Sequence, residues 1–201
     1  MNRLPVALLL AGITFCTSAL AGLAPGAMAP GFKTAASLAG KEFKFDLKDA
    51  LKKGPVVVYF YPSAYTRGCN IQAHEFAVNM DKFTAAGASI VGVSLDNITR
   101  LNAFSADPEY CGGKVIVSSD PDGKIAKSYD LKVVERPGFK DSRGVEIDHG
   151  FAERTTVVVT SDGKIAATIG GMAPAENVKQ ALEKVQQLAS AAKVPAKKVA
   201  L

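Results

Sequence analysis

Cys69 closes the stretch Pro62-Ser63-Ala64-Tyr65-Thr66-Arg67-Gly68-Cys69, which directly follows the apolar run Val56 to Tyr61. That β-branched and aromatic run reads as a buried strand. Pro62 ends it, and Gly68 permits a tight turn. Beyond the cysteine, Ile71, Ala73, Phe76, Ala77, Met80 and Phe83 recur at helical spacing and predict a helix from Cys69 to about Ala86. Cys69 then falls on the first turn of a helix just past a strand end. Unpaired backbone N–H groups and the positive end of the helix dipole gather there, and both favour thiolate over thiol. A thiol of pKa about 8.5 is only about 3 % ionised at pH 7, whereas one of pKa about 6 is about 90 % ionised. Such a shift turns a cysteine into a nucleophile.

The elements that must position this residue follow from the rest of the chain. Lys41 to Leu47 alternates and reads as an early strand. Ser89 to Leu95 reads as a second buried strand. A helix is expected from Asn97 to about Tyr110, with an interruption near Pro108, and a short strand from Lys114 to Val117. Gly123 to Tyr129 reads as a helical turn. Thr155 to Val159 and Lys164 to Ile169 form a hairpin about Ser161-Asp162-Gly163, with Asp-Gly supplying the turn. Pro174 to about Ala191 is amphipathic, with Val178, Ala181, Leu182, Val185 and Leu188 on one side. Strand and helix in alternation, then a hairpin and a closing helix, is an α/β layer order. It suits a thioredoxin-like fold, a central mixed β-sheet flanked by helices. Lys132 to Gly150 is polar and rich in Gly, Pro and charge, and reads as a surface loop.

Composition bounds the compartment and the partners. The chain has 201 residues and is 48 % hydrophobic, enough for a single domain with a sizeable core. The first charged residue is Arg3 and the next is Lys33; between them lies the apolar stretch Leu4 to Leu23, with an Ala19-Leu20-Ala21 end. This is the pattern of a secretory signal peptide over residues 1–21. A membrane anchor is the competing reading, because the stretch approaches spanning length. Residues 22–31 read as a Gly/Ala/Pro linker, 32–192 as the domain, and 193–201 as a short basic tail. Loss of the leader removes Arg3 and Cys16, lowers the formal charge from +5 to +4 and leaves two cysteines, Cys69 and Cys111. An even pair in an exported protein points to a disulfide at some stage. No basic face with interleaved aromatics is present, so nucleic acid is not an expected partner. Nor is stable membrane insertion expected once the leader is gone. His74 and His149 lack the Cys, His and carboxylate spacing of a metal site, and no cofactor is expected. Periplasmic or secreted localisation follows from the leader.

Four segments resemble one family in the same order. Pro62-x-x-x-Thr66-x-x-Cys69 is similar to the active-site signature of the peroxiredoxins, which are thiol peroxidases. VVVYFYPSAYTRGCNIQAHEF resembles the bacterioferritin-comigratory, or Q-type, subgroup. Val91 to Asp96 is similar to that subgroup's second core strand. Ser119 to Tyr129 is similar to its SDPDG segment, and Arg154 to Val159 to its arginine-bearing strand. The resemblance covers roughly residues 30 to 190. It departs at Arg67, where the subgroup often has Pro. At Gln72 other peroxiredoxins usually carry Glu, though Q-type members often have Gln. At His74 many members carry a resolving cysteine.

The resemblance implies an enzyme that reduces hydrogen peroxide and alkyl hydroperoxides, with a thioredoxin-like or other thiol reductant as partner, acting as a monomer or weak dimer. It implies Cys69 as nucleophile, with the Thr66 hydroxyl beside the sulfur and the peroxide. Arg154 would stabilise thiolate and bind peroxide oxygen, and Pro62 would shield the site from bulk water. The Gly68 and Cys69 amides are further donors. It also implies that Cys111 attacks the Cys69 sulfenic acid to form an intramolecular disulfide. Bland readings stand beside these: Thr66 as a helix cap, Arg154 as a surface ion-pair partner of Glu153, Arg67 as a solvated charge, Tyr65 as packing and the two histidines as structural. Cys111 could equally be a buried thiol or half of a permanent bridge, the latter stabilising by about 4 kcal/mol on loop entropy. The competing functions are a disulfide oxidoreductase, which normally needs Cys-x-x-Cys, and a metal-delivery or binding protein, for which position 73 should be Cys rather than Ala73.

Overall fold

The computed structural model describes residues 22–193. The leader expected over residues 1–21 and the tail beyond Lys193 lie outside the described residues. The elements run β1 (Lys33–Leu38), β2 (Lys41–Asp46), α1 (Leu47–Leu51), β3 (Val56–Phe60), α2 (Arg67–Val78), α3 (Met80–Ala85), β4 (Ser89–Ser94), α4 (Ile98–Ala106), β5 (Ile116–Ser119), α5 (Lys124–Ser128), β6 (Val133–Val134), β7 (Phe151–Ala152), β8 (Thr155–Val159), β9 (Ile165–Gly170) and α6 (Pro174–Lys193). Seven strands form one sheet in the order β2-β1-β5-β4-β3-β8-β9, and β6 pairs with β7 in a small second ribbon. The three central strands β5, β4 and β3 are parallel, while β8, β9, β1 and β2 are antiparallel to their neighbours. This is the expected mixed sheet flanked by helices.

The pleat of β3 divides the core in two. Val57, Tyr59 and Tyr61 point to one face, where they meet Phe76 of α2, Phe104 of α4 and Val178 of α6. Val56, Val58 and Phe60 point to the other, beneath Leu47, Ala126 and Tyr129. Both faces are covered, so β3 is apolar throughout rather than alternating. Gly92 in β4 belongs to the same packing: a Cβ there would come within 2.5 Å of the Tyr59 ring.

Several boundaries differ from the sequence reading, each for a local reason. The helix expected from Cys69 to Ala86 is two helices, α2 and α3. Asn79 separates them, with a near-zero ψ of 6° and its side chain donating to the Glu75 carbonyl at 2.9 Å. Short amides of this kind compete with the helical ladder. The helix expected to reach Tyr110 stops at Ala106. Asp107 takes an extended ψ of 120°, because a residue before proline is sterically driven out of the helical region. Cys111 therefore lies in a turn, not in a helix. Strand β1 was not anticipated. Residues 22–31, read from composition as a linker, pair with the start of β9 and the turn before it: Gly26 N–H donates to Ile165 O at 2.8 Å and Ala29 N–H to Gly163 O at 2.9 Å. Leu23, Ala27 and Ala29 pack on the second core. The polar stretch 132–150 contains β6, which pairs with β7.

Candidate active site

The parallel strands β3 and β4 end side by side, and their C-terminal ends build the site, as is general for sheets of this kind. The chain leaving β3 is bent sharply through residues 62–66. Tyr65 has φ +61°, a conformation costly for a residue with a bulky side chain. The bend is held from below by Asp96, just past β4. The fully buried Asp96 carboxylate accepts from Ser63 Oγ at 2.6 Å, Ala64 N–H at 2.7 Å and Ser94 Oγ at 2.7 Å. His149 Nε2 and Arg100 Nε each lie 2.9 Å from it. Burial works to raise the Asp96 pKa, but donation by His149, Ser63 and Ala64 outweighs it, and the net direction is down. From above, Ser142 N–H donates to Tyr65 O at 2.9 Å and the Arg143 guanidinium sits 3.3 Å from the Tyr65 ring centroid.

Thr66 then opens α2 with extended φ and ψ. Its hydroxyl donates to Ser63 O at 2.9 Å and does not cap the helix. The Cys69 N–H is also committed, to Thr66 O at 2.9 Å, so of the two amides expected as donors to substrate this one is already spent. Cys69 itself lies on the first turn of α2, 2 % exposed. Its sulfur accepts from Arg154 Nη2 at 3.2 Å. Arg154 stands between β7 and β8, and its other arm, Nη1, donates to Gln72 Oε1. Arg154 makes no ion pair with a carboxylate among the described residues, so the expected alternative of a surface pair with Glu153 does not hold. The residue before the cysteine has to be small: a Cβ on Gly68 would sit 3.0 Å from Arg154 Nη2.

Pro62, Thr66, Gly68 and Arg154 line a groove of about 560 Å³ together with Phe139 and Phe151. Arg67 is exposed at its rim. The structure thus brings Pro62, Thr66, Cys69 and Arg154 to one place. Cys111 is elsewhere. It is fully buried in the core shared by Tyr59, Tyr61 and Phe104, and both thiols are free. Burial drives the Cys111 pKa strongly upward, with the nearby Asp107 adding to it. Its turn is made by Gly112 and Gly113, both at positive φ, and is tied to α2 by a 3.0 Å contact between His74 Nδ1 and Glu109 O.

Sequence reasoning singled out Gln72 only as a departure and did not mark Asp96 or His149 as parts of the site. Gln72 had one available signal: it lies one helical turn beyond Cys69, so both share a face of α2. The Asp96 contacts with Ser63, Ala64 and His149 join residues far apart in the chain and had none.

Fold and site together define a helix-flanked mixed-sheet protein with a guanidinium-paired cysteine at the crevice of its parallel strands. The AhpC/TSA family model matches residues 25–168, and the chain belongs to that family. A putative peroxiredoxin of Mycobacterium tuberculosis is 36 % identical over 110 residues, 55 % of this chain and 64 % of that protein. The match thus spans less than two thirds of that curated relative. The solved structure of peroxidoxin BcpB from Mycobacterium tuberculosis superposes with a TM-score of 0.67 at 25 % identity, covering 82 % of this chain and 97 % of that one. A Xanthomonas campestris bacterioferritin comigratory protein, described for its alkyl peroxide reduction activity, superposes with a TM-score of 0.61 at 25 % identity over 77 % of this chain and 91 % of that one. The thioredoxin-like architecture expected from the element order is the one these neighbours share.

Proposed function

We propose that this chain is an exported thiol peroxidase that reduces hydrogen peroxide and alkyl hydroperoxides through Cys69. The observation that carries the reading is the Arg154 guanidinium at 3.2 Å from the Cys69 sulfur, with no carboxylate ion-paired to it among the described residues. A fixed cation beside sulfur favours the thiolate, and it also stabilises the negative charge that develops on oxygen as an O–O bond breaks. The Thr66 proton is used on Ser63 O, so in this reading its hydroxyl, on a residue lining the groove, serves a peroxide O–H as an acceptor. Pro62 and the two phenylalanines limit water and give an alkyl group an apolar surface. Attack by the thiolate on one peroxide oxygen forms the S–O bond and breaks O–O. The departing oxygen takes a proton and leaves as water or an alcohol, and Cys69 is left as sulfenic acid. Alkyl peroxide reduction by the Xanthomonas relative supports the substrate class.

Cys111 completes the cycle in this reading. Its sulfur attacks the sulfenic acid, forming the disulfide and releasing water. An external dithiol, thioredoxin-like or otherwise, then reduces that disulfide by two electrons and is itself oxidised. Cα atoms must come within about 7 Å for the bond to form. The glycine turn around Cys111 and the start of α2 are the segments that would open. Export is supported by the basic and apolar pattern of residues 1–21. Cleavage after Ala21 would leave Leu23 to Ala29, with all their contacts to β9 and the core, in the mature chain.

The test is peroxide consumption by the reduced mature protein with dithiothreitol as donor, wild type against Cys69→Ser. Turnover that falls by at least about 10³-fold in the variant is expected. No turnover in wild type with Cys69 confirmed reduced would end the peroxidase reading.

A further inference from the structure

We propose that Asn177, on the closing helix α6, is a positioning residue for the Cys69 site: its side-chain amide dictates which end of the Gln72 amide faces Arg154, and so holds the guanidinium on the sulfur. The inference rests on Cys69 being the reactive thiol. The starting point is a backbone carbonyl. Asn177 approaches Ile169 O at 2.9 Å, and a carbonyl only accepts, so the Asn177 atom facing it is Nδ2. Its Oδ1 is thereby turned the other way, toward Thr156 Oγ1 and Gln72 Nε2, the latter at 3.0 Å. Gln72 must present its NH₂ to that oxygen. Its own Oε1 is left pointing at Arg154 Nη1, which donates to it, while Nη2 donates to Cys69 Sγ.

Every join in this relay is enforced. A flipped Gln72 would set its NH₂ against the Arg154 N–H groups and its oxygen against Asn177 Oδ1, replacing two hydrogen bonds by two repulsions. Water cannot repair the mismatch, because Gln72, Thr156 and Asn177 are each no more than 1 % exposed. Both relay amides are neutral. They fix the guanidinium by hydrogen bonding without cancelling its charge, which a carboxylate at position 72 would do. Thus β9, through α6 and α2, sets the orientation of an arginine carried on a different segment.

The experiment compares Asn177→Leu in the wild-type background and in a Gln72→Glu background. The first readout is the pH dependence of Cys69 alkylation by iodoacetamide, followed on the Cys69 peptide by mass spectrometry; it needs no peroxidase activity. The second is kcat/KM for hydrogen peroxide. In the wild-type background Asn177→Leu should move half-maximal alkylation alkaline by about 0.5–1 pH unit and lower kcat/KM about tenfold. The carboxylate that Gln72→Glu introduces accepts from Arg154 whichever way it is turned, so in that background the same substitution should cost less than about twofold. Equal losses in both backgrounds, or an unchanged alkylation profile, would show that Asn177 only packs. Asn177→Ser removes the contact without placing an apolar group beside Thr156. It serves if Asn177→Leu fails to fold, with the same outcomes expected. A wild type that consumes no peroxide yet shows the alkylation shift would sink the peroxidase reading and leave the Asn177 role standing.

Discussion

The two cysteines among the described residues share one core but have opposite surroundings. Cys69 sits at a helix start, beside a guanidinium that itself lines a groove. Cys111 sits in an apolar interior with no cation, where burial keeps its thiol protonated. The polar investment differs as sharply. The Cys69 loop is fixed by Asp96 from below, Tyr65 contacts from above and the Arg154–Gln72–Asn177 relay from the side. The Cys111 segment is a glycine turn held mostly by its own backbone, Gly112 N–H donating to Asp107 O at 2.8 Å and Gly113 N–H to Ser105 O at 3.0 Å, with one histidine–carbonyl contact to α2. The lesson is that one thiol is placed beside a fixed cation and the other is sealed away from any substrate, so that in the proposed cycle Cys111 can act only if its turn opens.

Four experiments would break or sharpen this contrast. The largest effect should be in alkylation rates. At pH 7.5, iodoacetamide should modify Cys69 at least about 100-fold faster than Cys111 in the native protein, the two converging in denaturant. Comparable native rates would erase the distinction. Next, Arg154→Lys should lower kcat/KM for hydrogen peroxide by about 10²-fold. A single ammonium cannot reach both Cys69 Sγ and Gln72 Oε1 as the forked guanidinium does. Full activity with Lys would reduce Arg154 to a generic positive charge. Gly68→Ala should cost about tenfold in kcat/KM while leaving the thermal midpoint nearly unchanged. The new Cβ presses on the Arg154 guanidinium and otherwise makes only an ordinary contact with the Pro174 ring. An equally active variant would mean that the 3.2 Å contact tolerates displacement.

The smallest effect concerns the scaffold under Cys69. His149 presents Nδ1 to Gly150 O and Nε2 to Asp96, two acceptors that only the doubly protonated ring satisfies together. Burial lowers its pKa, but these bonds prevail and the net direction is up. A pKa raised on folding contributes stability that is fully present below the unfolded value of about 6.5 and fades as pH rises through the folded value. His149→Gln should therefore destabilise by about 1–2 kcal/mol in urea unfolding at pH 5 and by less at pH 8.5. A larger loss at the alkaline end would reverse the assignment.

Much of this was legible from the chain because it is local. The β-branched run of β3 and the helical spacing after Cys69 placed the cysteine at a strand–helix junction. Asp-Gly at 162–163 marked the β8–β9 turn, and the apolar stripe marked α6. Part of what failed was also local in origin: the Asn79 break needs a side chain's choice between competing carbonyls, and Pro108 proved a stop for α4 where only an interruption was expected. The site splits in the same way. Cys69, Thr66 and Pro62 share one short motif. Gln72 was visible but unassigned, since periodicity says that it shares a face with Cys69 and not what it touches.

The sequence by itself determined the helix start that carries Cys69, the helix-flanked mixed sheet around it and the segments that resemble a known family. It did so because propensity, turn chemistry and periodicity act over a few residues. Only the tertiary structure decided that Arg154 reaches the sulfur, that Asp96 and His149 hold the bend beneath it, that Asn177 orients Gln72 and that Cys111 is sealed in apolar core. Those outcomes depend on which distant groups meet out of water, where an unpaired donor or acceptor is costly and each amide is forced to take one orientation.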